Sequence, residues 1–187
     1  MRRKDDEKMR SIKEAVVSLT LKEGFHGTSV SKIAKLAGVS PATVYIYFEN
    51  KDDMLHDIYS EYSEDIYDYL LDSIDWNMQG WRQIEILIRS YYNYILDNKE
   101  IFSFVEQFSN CPCLADSCSG KKGRDSIYEL MTEMKRNKVI KDYSEDNLLA
   151  IIFSPVKAIA SDNCKSDSQK ESLLEEMIGM IQNAVLR

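Results

Sequence analysis

An all-α fold is predicted by three observations. The chain of 187 residues contains only three prolines. No stretch alternates apolar and polar residues between paired turn signals, as strands would. Its apolar residues instead recur at spacings of three and four, the period of an amphipathic helix. The expected architecture is an N-terminal three-helix unit over residues 1–50, built around a helix-turn-helix, and a larger helical domain over residues 51–187.

Ile12, Ala15, Val16 and Leu19 lie at i, i+3, i+4 and i+7 and form one face of the first helix. Gly24 follows its last turn and can take the left-handed conformation that ends a helix. Val30, Ile33, Ala34 and Ala37 repeat the spacing over a shorter second helix, with Ser29 placed to accept a backbone N–H at its start. Gly38 ends it. Ser40-Pro41 opens the third helix: serine caps, and proline at the first helical position gives up no needed donor. Only about two residues are expected between the second and third helices, so a small residue is needed where they touch. Ala34 and Gly38 meet that need, and Val44 packs inward from the third helix. Small, glycine, apolar at this spacing is the signature of a helix-turn-helix, a unit that can lay one helix in the DNA major groove. With Val44 and Phe48 turned inward, Thr43, Tyr45 and Tyr47 are expected to face out, and Lys51 opens the next helix within reach of a phosphate.

The stretch TSVSKIAKLAGVSPATVYIYFENKDDML resembles the N-terminal pattern of the TetR family of transcriptional regulators, over about a quarter of the chain. Carried over position by position, the resemblance implies that Thr43, Tyr45 and Tyr47 face DNA and that Ser29, Ser31, Lys32 and Lys51 contact phosphates. Ala42 stands where many members have glycine, which bears on how closely the helix backbone approaches DNA.

Beyond residue 51 the periodicity continues. Leu55, Ile58, Tyr59, Tyr62, Ile66, Tyr69 and Leu70 predict a long fourth helix with one apolar face. Trp76 to Trp81, with Gly80, marks a break. Ile84, Leu87, Ile88, Tyr91, Tyr92, Ile95 and Leu96 predict the fifth helix, and Phe102, Val105 and Phe108 a short one after it. Ile127, Leu130, Met131 and Met134 follow a loop rich in cysteine. Leu148, Ile151, Ile152, Val156 and Ile159 line one late helix, in which Pro155 should introduce a kink. Leu173, Leu174, Met177, Ile178, Ile181 and Val185 line the last. These wide stripes either close the monomer core or also meet a second copy. The resemblance implies the latter, a homodimer through the last two helices, about 144–162 and 169–186, reading the two halves of a palindromic operator in double-stranded DNA.

The resemblance also implies a small-molecule effector held in the larger domain, whose binding moves the fourth helix and releases a repressor from its operator. Tyr62, Tyr91, Tyr94, Phe102, Phe104, Phe108 and Met131 are the candidate pocket lining, suited to an apolar or planar ligand; plain core is the other reading of each. Cys111, Cys113 and Cys118 sit close together, with Cys164 apart. A thiol- or metal-responsive regulator would use the first three. Their spacing is not the C-x-x-C of zinc sites, and in a reducing compartment they are equally ordinary free thiols. No metal site or cofactor is predicted.

No G-x-S-x-G, P-loop, H-E-x-x-H or dinucleotide fingerprint occurs, and the two histidines lie in or beside the helix-turn-helix segment, so no catalytic residue is assigned and no enzyme is expected. No membrane span is expected, and the charged start MRRKDDEKMRS lacks the apolar run of a secretory signal, which places the protein in the cytoplasm. The net charge of −7 is unevenly spread. Residues 1–56 carry ten Lys and Arg against eight Asp and Glu, a net of +2, and the acidic excess lies in the remainder. Arg2, Arg3 and Lys4 read either as a mobile arm that touches DNA or as a solvated tail.

Overall fold

The computed structural model describes residues 2–75, 77–109 and 122–187, with the backbone alone given for 2–4, 25 and 122–124. Cys111, Cys113 and Cys118 lie outside the described residues. The described residues form α1 (Arg2–Gly27), α2 (Val30–Leu36), α3 (Pro41–Tyr47), α4 (Lys51–Asp72), α5 (Gly80–Asp97), α6 (Lys99–Ser109), α7 (Lys122–Arg136), α8 (Glu145–Ala160) and α9 (Asp167–Val185). The all-α expectation holds. The only β-type pairing among the described residues is one antiparallel bridge between Ile140 and Leu186. No described helix is long and apolar enough to cross a membrane.

The chain divides into two compact units, Met1–Ser63 with Glu100–Ser119, and Glu64–Lys99 with Gly120–Arg187. In the first unit α1 packs on α2 and α2 on α3. Ile12, Ala15, Val16 and Val17 of α1, Ile33 and Ala34 of α2, and Val44 and Phe48 at α3 are buried, as are Met54, Leu55, Ile58 and Tyr59 of α4. Each fully buried large aliphatic side chain contributes about 1.5–3 kcal/mol relative to exposure. That is enough to hold seven-residue helices that would not persist alone. Gly24 interrupts α1 with φ of 73° and ψ of 167°, ending the regular helix where the glycine was expected to end it. The backbone is helical from Arg2, so Arg2, Arg3 and Lys4 begin α1.

The link between α2 and α3 spans four residues, 37–40, rather than two. Ala37 and Ser40 serve as caps, so Gly38 and Val39 alone stand between the capping positions. Gly38 has φ of 68°. Its N–H donates to the Lys35 carbonyl at 3.3 Å, and the Val39 N–H donates to Ala34 at 2.9 Å. This is the paired closure that a left-handed residue makes possible just past a helix end.

In the second unit α5 packs on α8 and α9, α8 on α9, and α7 on α8. Ile84, Leu87, Ile88, Tyr91, Tyr92 and Ile95 of α5 are buried, with Ile127, Leu130, Met131 and Met134 of α7. Arg89 ties α5 to α9 through Glu175 at 2.7 Å and binds Glu85 on its own helix at 2.9 Å. Burial raises the Glu85 carboxyl pKa, but hydrogen bonds and charge from Arg89 and Arg82 outweigh it and hold the group below the usual carboxylate range. α8 is one helix across Pro155, which offers no N–H to the carbonyl one turn earlier. Lys170, itself buried, donates to the Ala160 carbonyl at 2.9 Å and so satisfies the end of α8. A capping box between Ser166 and Gln169 starts α9.

The stripes of the last helices divide. Leu148, Ile152, Val156 and Ile159 of α8 and Leu174, Ile178, Ile181 and Val185 of α9 are buried within the unit. Ile151 is exposed, Leu173 and Met177 are half-buried, and Met180 is exposed. Tyr69 of α4, expected on the buried face, is also exposed.

Candidate nucleic-acid interface

The third helix is placed by its two ends. Ser40 Oγ accepts from the Thr43 N–H at 3.1 Å and lies 2.9 Å from the Thr43 hydroxyl, and Pro41 occupies the first turn. At the far end the Phe48 N–H donates to the Val44 carbonyl at 3.1 Å. Val44 is 1% exposed and Phe48 7% exposed, so the helix has one rotational setting. The residues opposite must then face solvent. Tyr45 is 56% exposed and Ile46 77%. Pro41 and Ala42 are exposed as well.

Of the three residues expected to face out, Tyr45 is the most open. Thr43 is half-buried with its hydroxyl against Ser40. Tyr47 is half-buried, and its hydroxyl reaches the Asp5 carbonyl of α1 at 3.5 Å. Ile46 was missed by sequence reasoning, because seven residues make only two turns and the period does not fix the side on which it falls. Its only signal was its place next to Tyr45, a residue expected to face out.

The residues expected to contact phosphates lie at the start of α2 and at the start of α4. Ser29 Oγ accepts from the Lys32 N–H at 3.3 Å and caps α2. Ser31 is exposed on the first turn of α2. Lys32 is exposed, but its ammonium is engaged: it contacts Glu23 at 2.5 Å and donates to the Gly27 carbonyl at 3.0 Å. A phosphate at Lys32 must compete with that carboxylate. Lys51 begins α4 and is half-buried. Asn50 precedes it and accepts from the N–H groups of Asp52 and Asp53 at 2.8 and 2.9 Å. The two acids in this first turn suit the positive end of the helix dipole.

The candidate pocket residues fall into separate aromatic groups. In the first unit, Phe104 has its ring centroid 6.3 Å from Tyr62, edge-on, and 5.1 Å from Phe108. Phe104 is fully buried, and Phe102 and Phe108 nearly so. In the second unit, Tyr91 meets Phe153 at 4.7 Å and Tyr94 meets Tyr69 at 5.3 Å. Met131 is fully buried in α7. Phe153 and Tyr69 were not among the expected lining. Burial, with the charge of Asp65, pushes the Tyr94 phenol up to about 12, so it remains protonated.

Residues 12–58 match the family model described as bacterial regulatory proteins, tetR family. An uncharacterized HTH-type transcriptional regulator of Haemophilus influenzae is 26% identical across 95% of both chains. The fatty acid metabolism regulator protein of Bacillus subtilis is 44% identical over 54 residues, 29% of this chain and 28% of that one. Among solved structures, a TetR family transcription regulator from Marinobacter aquaeolei has a TM-score of 0.85 and 26% identity, covering 100% of this chain and 99% of that one.

Proposed function

Because the chain belongs to the TetR family of DNA-binding transcriptional regulators, we propose that it acts in the cytoplasm as a homodimeric repressor of a palindromic operator, released by a small apolar or aromatic ligand. One observation carries the reading: α3 is pinned by Val44 and Phe48, and its opposite face leaves Tyr45 open to solvent. In this reading residues 1–50 form the DNA-binding domain and residues 51–187 the ligand-binding and dimerisation domain. Thr43, Tyr45 and Tyr47 address the bases, while Ser29, Ser31, Lys32 and Lys51 address phosphates. Phosphate contacts set register and base contacts set sequence.

The dimer reading is supported by the outward apolar residues of α8 and α9. Ile151 and Met180 are exposed and Leu173 and Met177 half-buried, although each helix already buries a second apolar row. A two-fold pair of reading helices then meets two half-sites about 34–36 Å apart on the duplex. The ligand reading is supported by the clustering of aromatic side chains around Phe104 and Tyr91, which suits an apolar or planar ligand. An effector works here only by preferring one conformational state, since equal affinity for both shifts nothing. The Bacillus relative is named for fatty acid metabolism, but the 54 matched residues are too short a stretch to carry a ligand from it to this chain.

The test is fluorescence anisotropy of the full-length protein on DNA from upstream of its own gene, with scrambled duplex as competitor at physiological salt. Binding that survives the competitor supports a sequence-specific regulator. A protein that selects no sequence, from that DNA or from a random pool, sinks the reading.

A further inference from the structure

We infer that Ile46 is a base-reading residue that packs on the C5-methyl group of a thymine, and that each operator half-site carries a T·A pair at that step. The inference deepens the DNA-binding reading above and rests on it.

Among the described residues Ile46 is the most exposed large apolar side chain, at 77%. Its helix cannot roll to cover it, because Val44 and Phe48 hold the opposite face in the core. Ala42, one turn earlier, is exposed too, so the two form a short apolar strip beside the Tyr45 ring. The occupant of this strip follows from its surroundings. It lies within the segment that matches the regulator family model, and that end of the chain carries a net +2 in a protein of net −7. That charge balance suits an anionic partner, and the family match makes DNA that partner.

In the major groove almost every feature of a base edge is a hydrogen-bond donor or acceptor; the thymine methyl is the apolar exception. A β-branched hydrocarbon laid on the O6 and N7 of guanine would strip water from both acceptors and return no hydrogen bond. Laid on a thymine methyl, it removes apolar surface on both sides. Polar-tipped, exposed Tyr45 can supply a hydrogen bond next to it, so Ile46 adds a discrimination its neighbour does not make.

The operator is first obtained by selection from randomised duplexes with the full-length protein. Each thymine is then replaced singly by deoxyuridine, which pairs identically but lacks the methyl. Dissociation constants are measured for wild type, Ile46→Ala and Ile46→Leu. At one position per half-site, loss of the methyl should weaken wild type about fourfold, the factor equivalent to ~0.8 kcal/mol for one buried methyl-sized group. Ile46→Ala should bind the thymine and uracil duplexes equally, and Ile46→Leu should keep most of the difference. Circular dichroism checks that both variants fold. A selected operator at which no uracil substitution couples to Ile46 overturns the inference and leaves DNA binding standing. Selection of no sequence overturns both. A change in self-association with Ile46→Ala, without any change in base preference, assigns the strip to a protein contact and also overturns it.

Discussion

Replacing Gly80 by alanine should destabilise the second unit, by an amount that the geometry bounds. A Cβ built at Gly80 would lie 2.0 Å from Val139 Cγ1, 2.8 Å from Cγ2 and 2.9 Å from Val139 Cβ. Ordinary contact begins near 3.4 Å, so the closest pair must separate by about 1.4 Å. Rotating the Val139 side chain cannot achieve this, since its own Cβ is already too near. Backbone must move, at the start of α5 or after α7. Overpacking of this kind costs about 1–3 kcal/mol, and the helical gain of alanine over glycine returns at most about 1 kcal/mol. A net loss of about 1–2 kcal/mol is expected in urea unfolding at constant m-value. Val139→Ala removes both Cγ atoms, so the double variant should be more stable than the sum of the single effects by about 1 kcal/mol or more. Wild-type stability in Gly80→Ala, or additivity in the double variant, would refute the reasoning.

Three further outcomes concern DNA. Tyr45→Ala should lose operator preference while keeping its circular dichroism spectrum and an unfolding midpoint close to wild type, because more than half of the side chain is exposed; anisotropy with specific and scrambled duplexes reads this. Lys51→Ala should weaken binding to all sequences alike and reduce the slope of log affinity against log salt by about one. Glu23→Gln removes the carboxylate that holds Lys32 and should tighten binding to any duplex by a few-fold at low salt, an effect that should vanish when Lys32→Ala is added.

Much of the fold was legible because it rests on local chemistry. The caps at Ser29 and Ser40, the left-handed turn at Gly38 and the break at Gly24 are each written in one or two residues, and each stands where expected. The long helices were legible from period alone. What was hidden depends on residues distant in sequence or on rotation within a short element. The need for glycine at position 80 comes from Val139, far along the chain. Seven residues make only two turns, so periodicity left it undecided whether Ile46 would follow Val44 inward or Tyr45 outward. The stripes of α8 and α9 were seen as single wide bands; only packing separates Ile152 from Ile151 and Leu174 from Leu173. The engagement of Lys32 by Glu23 joins α1 to α2, which spacing does not reveal.

The Lys170 hydrogen bond to Ala160 bears on how an oligomer would assemble. Together with the Ser166–Gln169 capping box and the Asp162–Lys165 ion pair, it closes the α8–α9 hairpin through contacts within about ten residues. Such short-range closure costs little loop-closure entropy and lies within one chain. Ile151 of α8 and Met180 of α9 are therefore carried on helices already joined, and in the proposed dimer a second copy would dock without ordering a segment at the moment of contact. Such association would lose little conformational entropy, and its rate would be set by encounter and orientation, in the range of about 10⁵–10⁷ M⁻¹s⁻¹.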